Sequence, residues 1–268
     1  MHSSFGFSVD LIVLGKIFGK KTIGYMWDEY PISFSHKKLN RSFKIKTIDF
    51  ISASIQRLID TLVVPSKDFK SSNKPDTKIF PLWPVNEQIV SRNLINRVEN
   101  NEAIKIAFAG TINETRGLDM CIKHLNLISE TPIELHVFSR EDNALHDLKS
   151  TSKVKIIGRG FYSSIELREL LSSMHFGLVS LHPNFNSAAF PSKTHEYISC
   201  NIPIMYFGPR LQHYIKLIES TGVGYDITEV KTDNLARTHE KIAKNFESSR
   251  SKFIQKTCLK WCYFEKIF

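Results

Sequence analysis

The 268-residue sequence predicts an α/β protein of two doubly wound, Rossmann-like domains, the first of them incomplete. Three observations lead there. Short apolar runs rich in Val, Ile and Phe alternate with stretches whose apolar residues recur at helical spacing. The apolar runs are nearly continuous, as in strands buried on both faces of a parallel sheet. A polar, Asn-rich stretch, "SRNLINRVENNE", parts a shorter first half from a more regular second half. The expected segments are therefore 1–92, a partial first domain; 93–248, a second Rossmann-like domain; and 249–268, a C-terminal helix returning toward the first.

The opening "FGFSVDLIVLGKIFG" reads as an amphipathic helix with Phe7, Leu11, Leu14 and Ile17 on one face. Asp10 and Lys16 interrupt it, so it is no membrane span, and it lacks the basic start and small-residue cleavage site of a signal peptide. "KKTIGYMWD" is a buried strand, followed by a loop holding Asp28, Glu29 and Pro31. A helix through "IKTIDFISASIQRLID", a strand "TLVVPS", a polar loop and a strand-like "KIFPLWPV" complete the first half. That is three strand candidates where a doubly wound domain has about five or six. The chain is accordingly read as one lacking the front of its first domain. The alternative is a separate chain that completes the sheet and covers its open edge.

In the second half, "IKIAFAG", "IELHVFS", "KVKIIG", "FGLVSL" and "IPIMYFG" are strands, the last closing the series. Between them lie helices at "GLDMCIKHLNLI", "NALHDLK", "SIELRELLSSM" and "SKTHEYISC", with two more at "LQHYIKLIES" and "NLARTHEKIAKNF". Right-handed crossovers make this a doubly wound sheet.

The net charge of +9 favours phosphate-bearing ligands or an acidic membrane surface, although the basic residues are dispersed. The densest basic stretch, His36 to Lys46, reads as a solvated loop, and no RNA- or DNA-binding module is present, which excludes nucleic acid as a partner. Cys121, Cys200, Cys258 and Cys262 form no CxxC pair, so buried thiols in a reducing cytosol are expected, without zinc.

Ligands of open α/β sheets bind beyond the carboxyl ends of the strands. Three places qualify. Gly110 and Thr111 follow "IKIAFAG", and Arg116-Gly117 opens the next helix: a diphosphate cradle, or a surface Arg beside a turn. Gly160 and Phe161 follow "KVKIIG", where a flat ring could lie on the backbone; a plain strand-to-helix turn fits equally, and the spacing is no G-x-G-x-x-G. In "FPSKTHEYISCNIPI", Ser192 suits an N-cap after Pro191, Asn201 suits the position past the helix end, and Pro203 stops continuation. Lys193 and Glu196 are three apart and share a face. Glu196 either compensates the helix dipole, worth about 0.3–1 kcal/mol, or accepts two ribose hydroxyls. Local physics leaves both open.

The same stretch resembles the P-S-K-x-x-E-Y-x-x-x-x-x-P-I signature of family 4, the group 1 retaining glycosyltransferases of GT-B fold. "FAGTINETRGLDMCIKHL", "GRGFYSSIELRELLSSMHFGLVSL" and "TGVGYDI" resemble further segments of that family in the same order, and "GKKTIGYMWDEYP" and "LIDTLVVPSKDF" resemble the last strands of its acceptor-side domain. The resemblance implies transfer of a sugar from a UDP- or GDP-sugar to a glycan or lipid-linked acceptor, with retention, in cell-surface polysaccharide biosynthesis. It implies Arg116, Lys193 and Glu196 as the catalytic group, with Glu196 on the ribose and the cations on the diphosphate. Gly110, Thr111, Gly160 and Phe161 complete the donor site, with Asp28 and Glu29 at the acceptor-side cleft. No metal or cofactor is implied, because fixed cations stabilise the leaving diphosphate. The chain departs from the family at Thr111, where many members carry a second Arg; at Trp27, where many carry His; at Ala188, in place of a first Glu; and at His175, usually Asp. A cytoplasmic protein in peripheral contact with an acidic inner membrane leaflet is expected. Two other classes stand beside the enzyme: a non-catalytic donor-binding remnant acting as a partner subunit, and a nucleotide-sugar epimerase, for which no acid–base pattern is present.

Overall fold

The structure is a computed structural model that describes residues 9–26, 43–69, 76–80, 98, 102–140, 142–160, 162–185 and 187–257. The chain groups into two compact units. One comprises Met1–Leu82 with Phe185–Phe190 and Leu211–Tyr214, and the other Trp83–Asn184, Pro191–Arg210 and Ile215–Phe268.

The first unit contains α1 (Val9–Ile17), β1 (Ile23–Tyr25), α2 (Phe43–Leu58), β2 (Thr61–Val64) and β3 (Thr77–Ile79). The strands are parallel in the order β1-β2-β3, with β2 in the middle and its Val63 and Val64 fully buried. Asp60 ties the start of β2 to the turn before β1: Thr22 donates its N–H and its hydroxyl to the carboxylate, each at 2.8 Å. Hydrogen bonds from Lys16 first, then Thr22, hold the Asp60 carboxyl well below the usual carboxylate range.

Helix α1 forms, but the apolar face expected for it is the outer one. Leu11, Leu14 and Ile17 are 64%, 46% and 69% exposed, while Ile12 packs into a cluster with Ile55, Ile59, Leu62 and Phe69. Apolar residues surround this helix on all sides, so periodicity had no polar face from which to choose the buried one. Phe7 lies outside the described residues.

In the second unit, the elements are β4 (Ile104–Ala109), α3 (Leu118–Ile128), β5 (Ile133–Phe138), α4 (Asp142–His146), β6 (Val154–Gly160), α5 (Ser164–Leu171), β7 (Phe176–Ser180), α6 (Lys193–Ser199), β8 (Ile204–Phe207), α7 (Gln212–Thr221), β9 (Gly224–Asp226), α8 (Leu235–Ala243) and α9 (Phe246–Thr257). Helix α7 starts in the stretch grouped with the first unit. All six strands are parallel, in the order β6-β5-β4-β7-β8-β9. Counted from β4 this is 3-2-1-4-5-6, the order of two βαβαβ halves that diverge from a switch point. "IPIMYFG" therefore does not close the series; β9 pairs beyond it. Its three residues, "GYD", carry no apolar run that periodicity could detect. Cys121 and Cys200 are buried free thiols, whereas Cys258 and Cys262 and the rest of 258–268 lie outside the described residues.

The switch point is the seam between β4 and β7. These strands pair only at Ile106↔Phe176 and Ala107↔Gly177, whereas β4 and β5 match over six residues. Side chains complete the seam at both ends. At its start, Lys105 N–H donates to His175 Nδ1 at 2.9 Å, and His175 N–H returns a bond to Lys105 O at 2.8 Å. His175 is thus built into the sheet through both its backbone and its ring. At the other end, Ala109 N–H donates to the hydroxyl of Tyr197 at 2.8 Å. Tyr197 is fully buried on α6, and its ring lies so close to β7 that a Cβ at Gly177 would sit 2.3 Å from it. Only glycine fits there. Replacing Tyr197 by Phe keeps the ring and strands the buried Ala109 N–H, which costs about 1–3 kcal/mol. The urea midpoint should fall at unchanged m, and an unchanged midpoint would remove this bond from the account.

Candidate functional site

At the carboxyl ends of β4, β5 and β6 lies a cleft of about 300 Å³. Gly110 and Thr111 line it after β4; Phe138, Ser139 and Arg140 at the end of β5; Gly160 and Tyr162 at the end of β6; and Lys193 at the start of α6. Gly110 has φ 155° and Gly160 φ 70°, and nothing lies within 4 Å of where a Cβ at Gly160 would stand. A ligand can therefore approach main chain there. Phe138 and Tyr162 meet edge to face, with ring centres 6.0 Å apart. Two cations, Arg140 and Lys193, reach the cleft, and no carboxylate is among its lining residues. Such a surface suits an anion carrying a flat apolar part.

Helix α6 sets Lys193. Its C-terminus closes with Ile202 N–H donating to Tyr197 O at 3.0 Å and Asn201 N–H to Ile198 O at 3.2 Å, with Asn201 at φ 59°. That is a Schellman closure with Asn in the left-handed position, and Ile202 and Tyr197 are both buried against it. The start of the helix differs from expectation. Ser192 occupies the N-cap position, but its backbone is already helical (φ −62°, ψ −31°) and its side chain makes no capping bond. A helical backbone at that position turns the hydroxyl away from the first free N–H groups.

One turn into α6, Lys193 Nζ donates to Glu196 Oε2 in an ion pair. Burial, then the charge of Glu196, pushes the Cys200 thiol up to about 11. His195, the residue before Glu196, faces the core beside the Phe253 ring, where burial pushes its imidazole down to about 4. Glu196 itself is half-buried and does not line the cleft; it reaches the site through Lys193.

Arg116 closes a single 3-10 turn, Glu114–Arg116, before α3. Ser180 at the end of β7 donates its hydroxyl to Arg116 O at 2.6 Å, and His182 N–H donates to Thr115 O at 2.8 Å. Gly117 follows at φ 55°, and a Cβ on it would lie 2.7 Å from His182 Cα. The Arg116 backbone is thus clamped to the loop after β7, while its half-buried side chain is not among the residues lining the cleft. Of the expected site, the structure brings together Gly110, Thr111, Gly160 and Lys193, with Glu196 joined through its ion pair. Phe161, Asp28 and Glu29 lie outside the described residues, as does Trp27. Ala188 packs in the apolar cluster of the first unit.

Six lining residues escaped the sequence reading: Ala109, Phe138, Ser139, Arg140, Tyr162 and Leu167. The rule that selected Gly110 also selects Ser139 and Arg140, which follow β5 as Gly110 follows β4. A second signal was the S-x-x-E at Ser163–Glu166, a reciprocal capping box that starts α5 directly after Tyr162.

No family model matches the sequence, and no curated protein matches it. Among solved structures, the chain is similar to sucrose-phosphate synthase from Thermosynechococcus elongatus, with TM-score 0.57 and 13% identity over 90% of this chain and 63% of that one. It is also similar to a glycosyltransferase from Rickettsia africae (TM-score 0.56, 14% identity, 91% of this chain and 68% of that). HepE of Anabaena, in complex with UDP, gives TM-score 0.54 and 12% identity over 92% of this chain and 70% of that one. The chain spans 63% of the length of the synthase. At these identities the likeness is one of fold: an α/β chain with Rossmann-like parallel sheets of the GT-B type.

Replacing Gly117 by Ala puts a methyl group into His182 at a left-handed φ, so the Arg116 turn must shift. The variant should lose about 1–3 kcal/mol in urea unfolding, the range for strained backbone positions. A loss within error of zero would show that the clamp yields freely.

Proposed function

We propose that this chain is a glycosyltransferase that takes a sugar from a UDP- or GDP-sugar and passes it to a glycan or lipid-linked acceptor, with retention of configuration, in cell-surface polysaccharide assembly. The observation that carries the reading is the cleft at the switch-point end of the second sheet, lined by glycine main chain, two aromatic rings and two cations without a carboxylate. The likeness to HepE, a protein seen with UDP, supports it.

In this reading Gly110 and Thr111 form the phosphate-side turn, Gly160 and Phe161 take the base, and Glu196 accepts the ribose hydroxyls. Arg116 and Lys193 stabilise the charge that develops on the leaving diphosphate, as prepositioned cations do more effectively than water. No metal or cofactor has a part in this scheme. Arg140 adds a third positive charge near the same space. The acceptor role is assigned to Asp28 and Glu29 through the family 4 resemblance. Retention belongs to this proposal through the family 4 resemblance alone.

The acceptor side adds a membrane. No helix among the described residues is long and apolar enough to cross a bilayer. Leu11, Leu14, Ile17 and Phe18 are exposed beside Lys20 and Lys21, a pattern suited to peripheral contact with an acidic inner leaflet from the cytoplasm.

UDP- or GDP-sugars at about a hundred times Kd should stabilise the chain by about 2.7 kcal/mol, read as a rise in Tm. Glu196→Ala should abolish the rise. No rise with any nucleotide-sugar would overturn the donor assignment, and a rise without sugar transfer would favour a donor-binding partner subunit.

A further inference from the structure

We propose that Glu196 governs ligand choice through Lys193: it engages the ammonium of the empty site and releases it when ribose hydroxyls occupy the carboxylate, so the cleft favours nucleoside diphosphates over phosphate-only anions. The inference rests on the donor reading above. It adds a coupling between the two ends of the ligand that neither residue's own contact would produce.

The geometry supplies the coupling. Lys193 lines the cleft, yet its Nζ is committed to Glu196 Oε2 one turn along the same helix. Their side chains are 40% and 22% exposed, so the pair is open enough to exchange partners and buried enough to persist. The backbone between them has little freedom to separate the two. Helix α6 is bolted at Tyr197 to Ala109 and closed at Asn201, so exchange must come from side-chain rotation alone. A phosphate-only anion meets a lysine already half neutralised, and must compete with Glu196 for it. A ribose presents two hydroxyl donors that share the charge of the carboxylate oxygens, which weakens their hold on the ammonium and lets Lys193 exchange partners. The released Lys193 then faces the diphosphate of the same ligand.

The test is calorimetric titration of the full chain with inorganic pyrophosphate, and with UDP or GDP, whichever binds the unmodified protein. Glu196→Gln should bind pyrophosphate about two- to fivefold more tightly, the worth of a part-exposed ion pair. The same variant should bind the nucleotide at least about tenfold more weakly, since it loses a charged hydrogen-bond acceptor. In a Lys193→Gln background the pyrophosphate gain should vanish, which separates a local pair from a general change in charge. Glu196→Asp keeps the charge and shortens the reach, so it should move both ligands in the same two directions by less. The proposal is overturned if both ligands shift the same way, or if the pyrophosphate gain survives without Lys193. If the unmodified protein binds neither nucleotide, the donor reading itself has failed and this inference falls with it; if a nucleotide binds but the two shifts agree in sign, this inference alone falls.

Discussion

The hydrogen bond from Ala109 N–H to the hydroxyl of Tyr197 is the contact on which the second unit's site depends. Strands β4 and β7 run parallel at the switch point but share only two residue pairs, so a main-chain donor at the end of β4 has no strand partner there. Tyr197 supplies the acceptor from a helix that follows β7. In doing so it sets the distance between that helix and Gly110, the residue that follows β4. The ring can reach there only because Gly177 has no side chain. One phenol thus closes a gap in the sheet and places Lys193, four residues earlier, at the cleft.

A separate set of bonds fixes the turn that leads into α3. Ser180 and His182, the end of β7 and just beyond, hold the carbonyls of Arg116 and Thr115. Ser180 and His182 thus hold the Arg116 backbone, while α6 sets Lys193 at the cleft. Charge balance follows from this arrangement. Lys193 carries a counter-ion, Glu196, one turn along the same helix, and the pair offsets part of the positive charge at the cleft. Preorganised charge of this kind is worth more than mobile ions because it needs no reorganisation when a diphosphate arrives.

The α/β class was legible because buried parallel strands are written as unbroken apolar runs, and five of the six strands of the second sheet carry such a run. The sixth, β9, is three residues long and owes its place to pairing with β8, which no local pattern encodes. The direction of α1 was illegible for the opposite reason: Ile12 and Leu11 are equally apolar, and only the tertiary cluster decides which is buried. At the site, Gly110 and Gly160 could be found from their place at strand ends, and Lys193 from the helix start in the segment after β7. Arg140 obeys the same rule but lacks a glycine or proline beside it to mark the turn. The role of Tyr197 was hidden because its partner is a backbone amide 88 residues away, a contact without any sequence signature. Ser192 shows the limit of residue preference: the residue type suits a cap, but the backbone angle there does not.

The central claim is that a nucleotide-sugar occupies the cleft at the ends of β4, β5 and β6. Hydrogen exchange of the chain with and without a UDP- or GDP-sugar, read by peptide mass, addresses it most directly. The account expects slower exchange confined to peptides covering residues 109–117, 138–140, 158–162 and 191–197, with β1–β3 and the 224–257 region unchanged. Protection elsewhere with those four segments unaffected would contradict it.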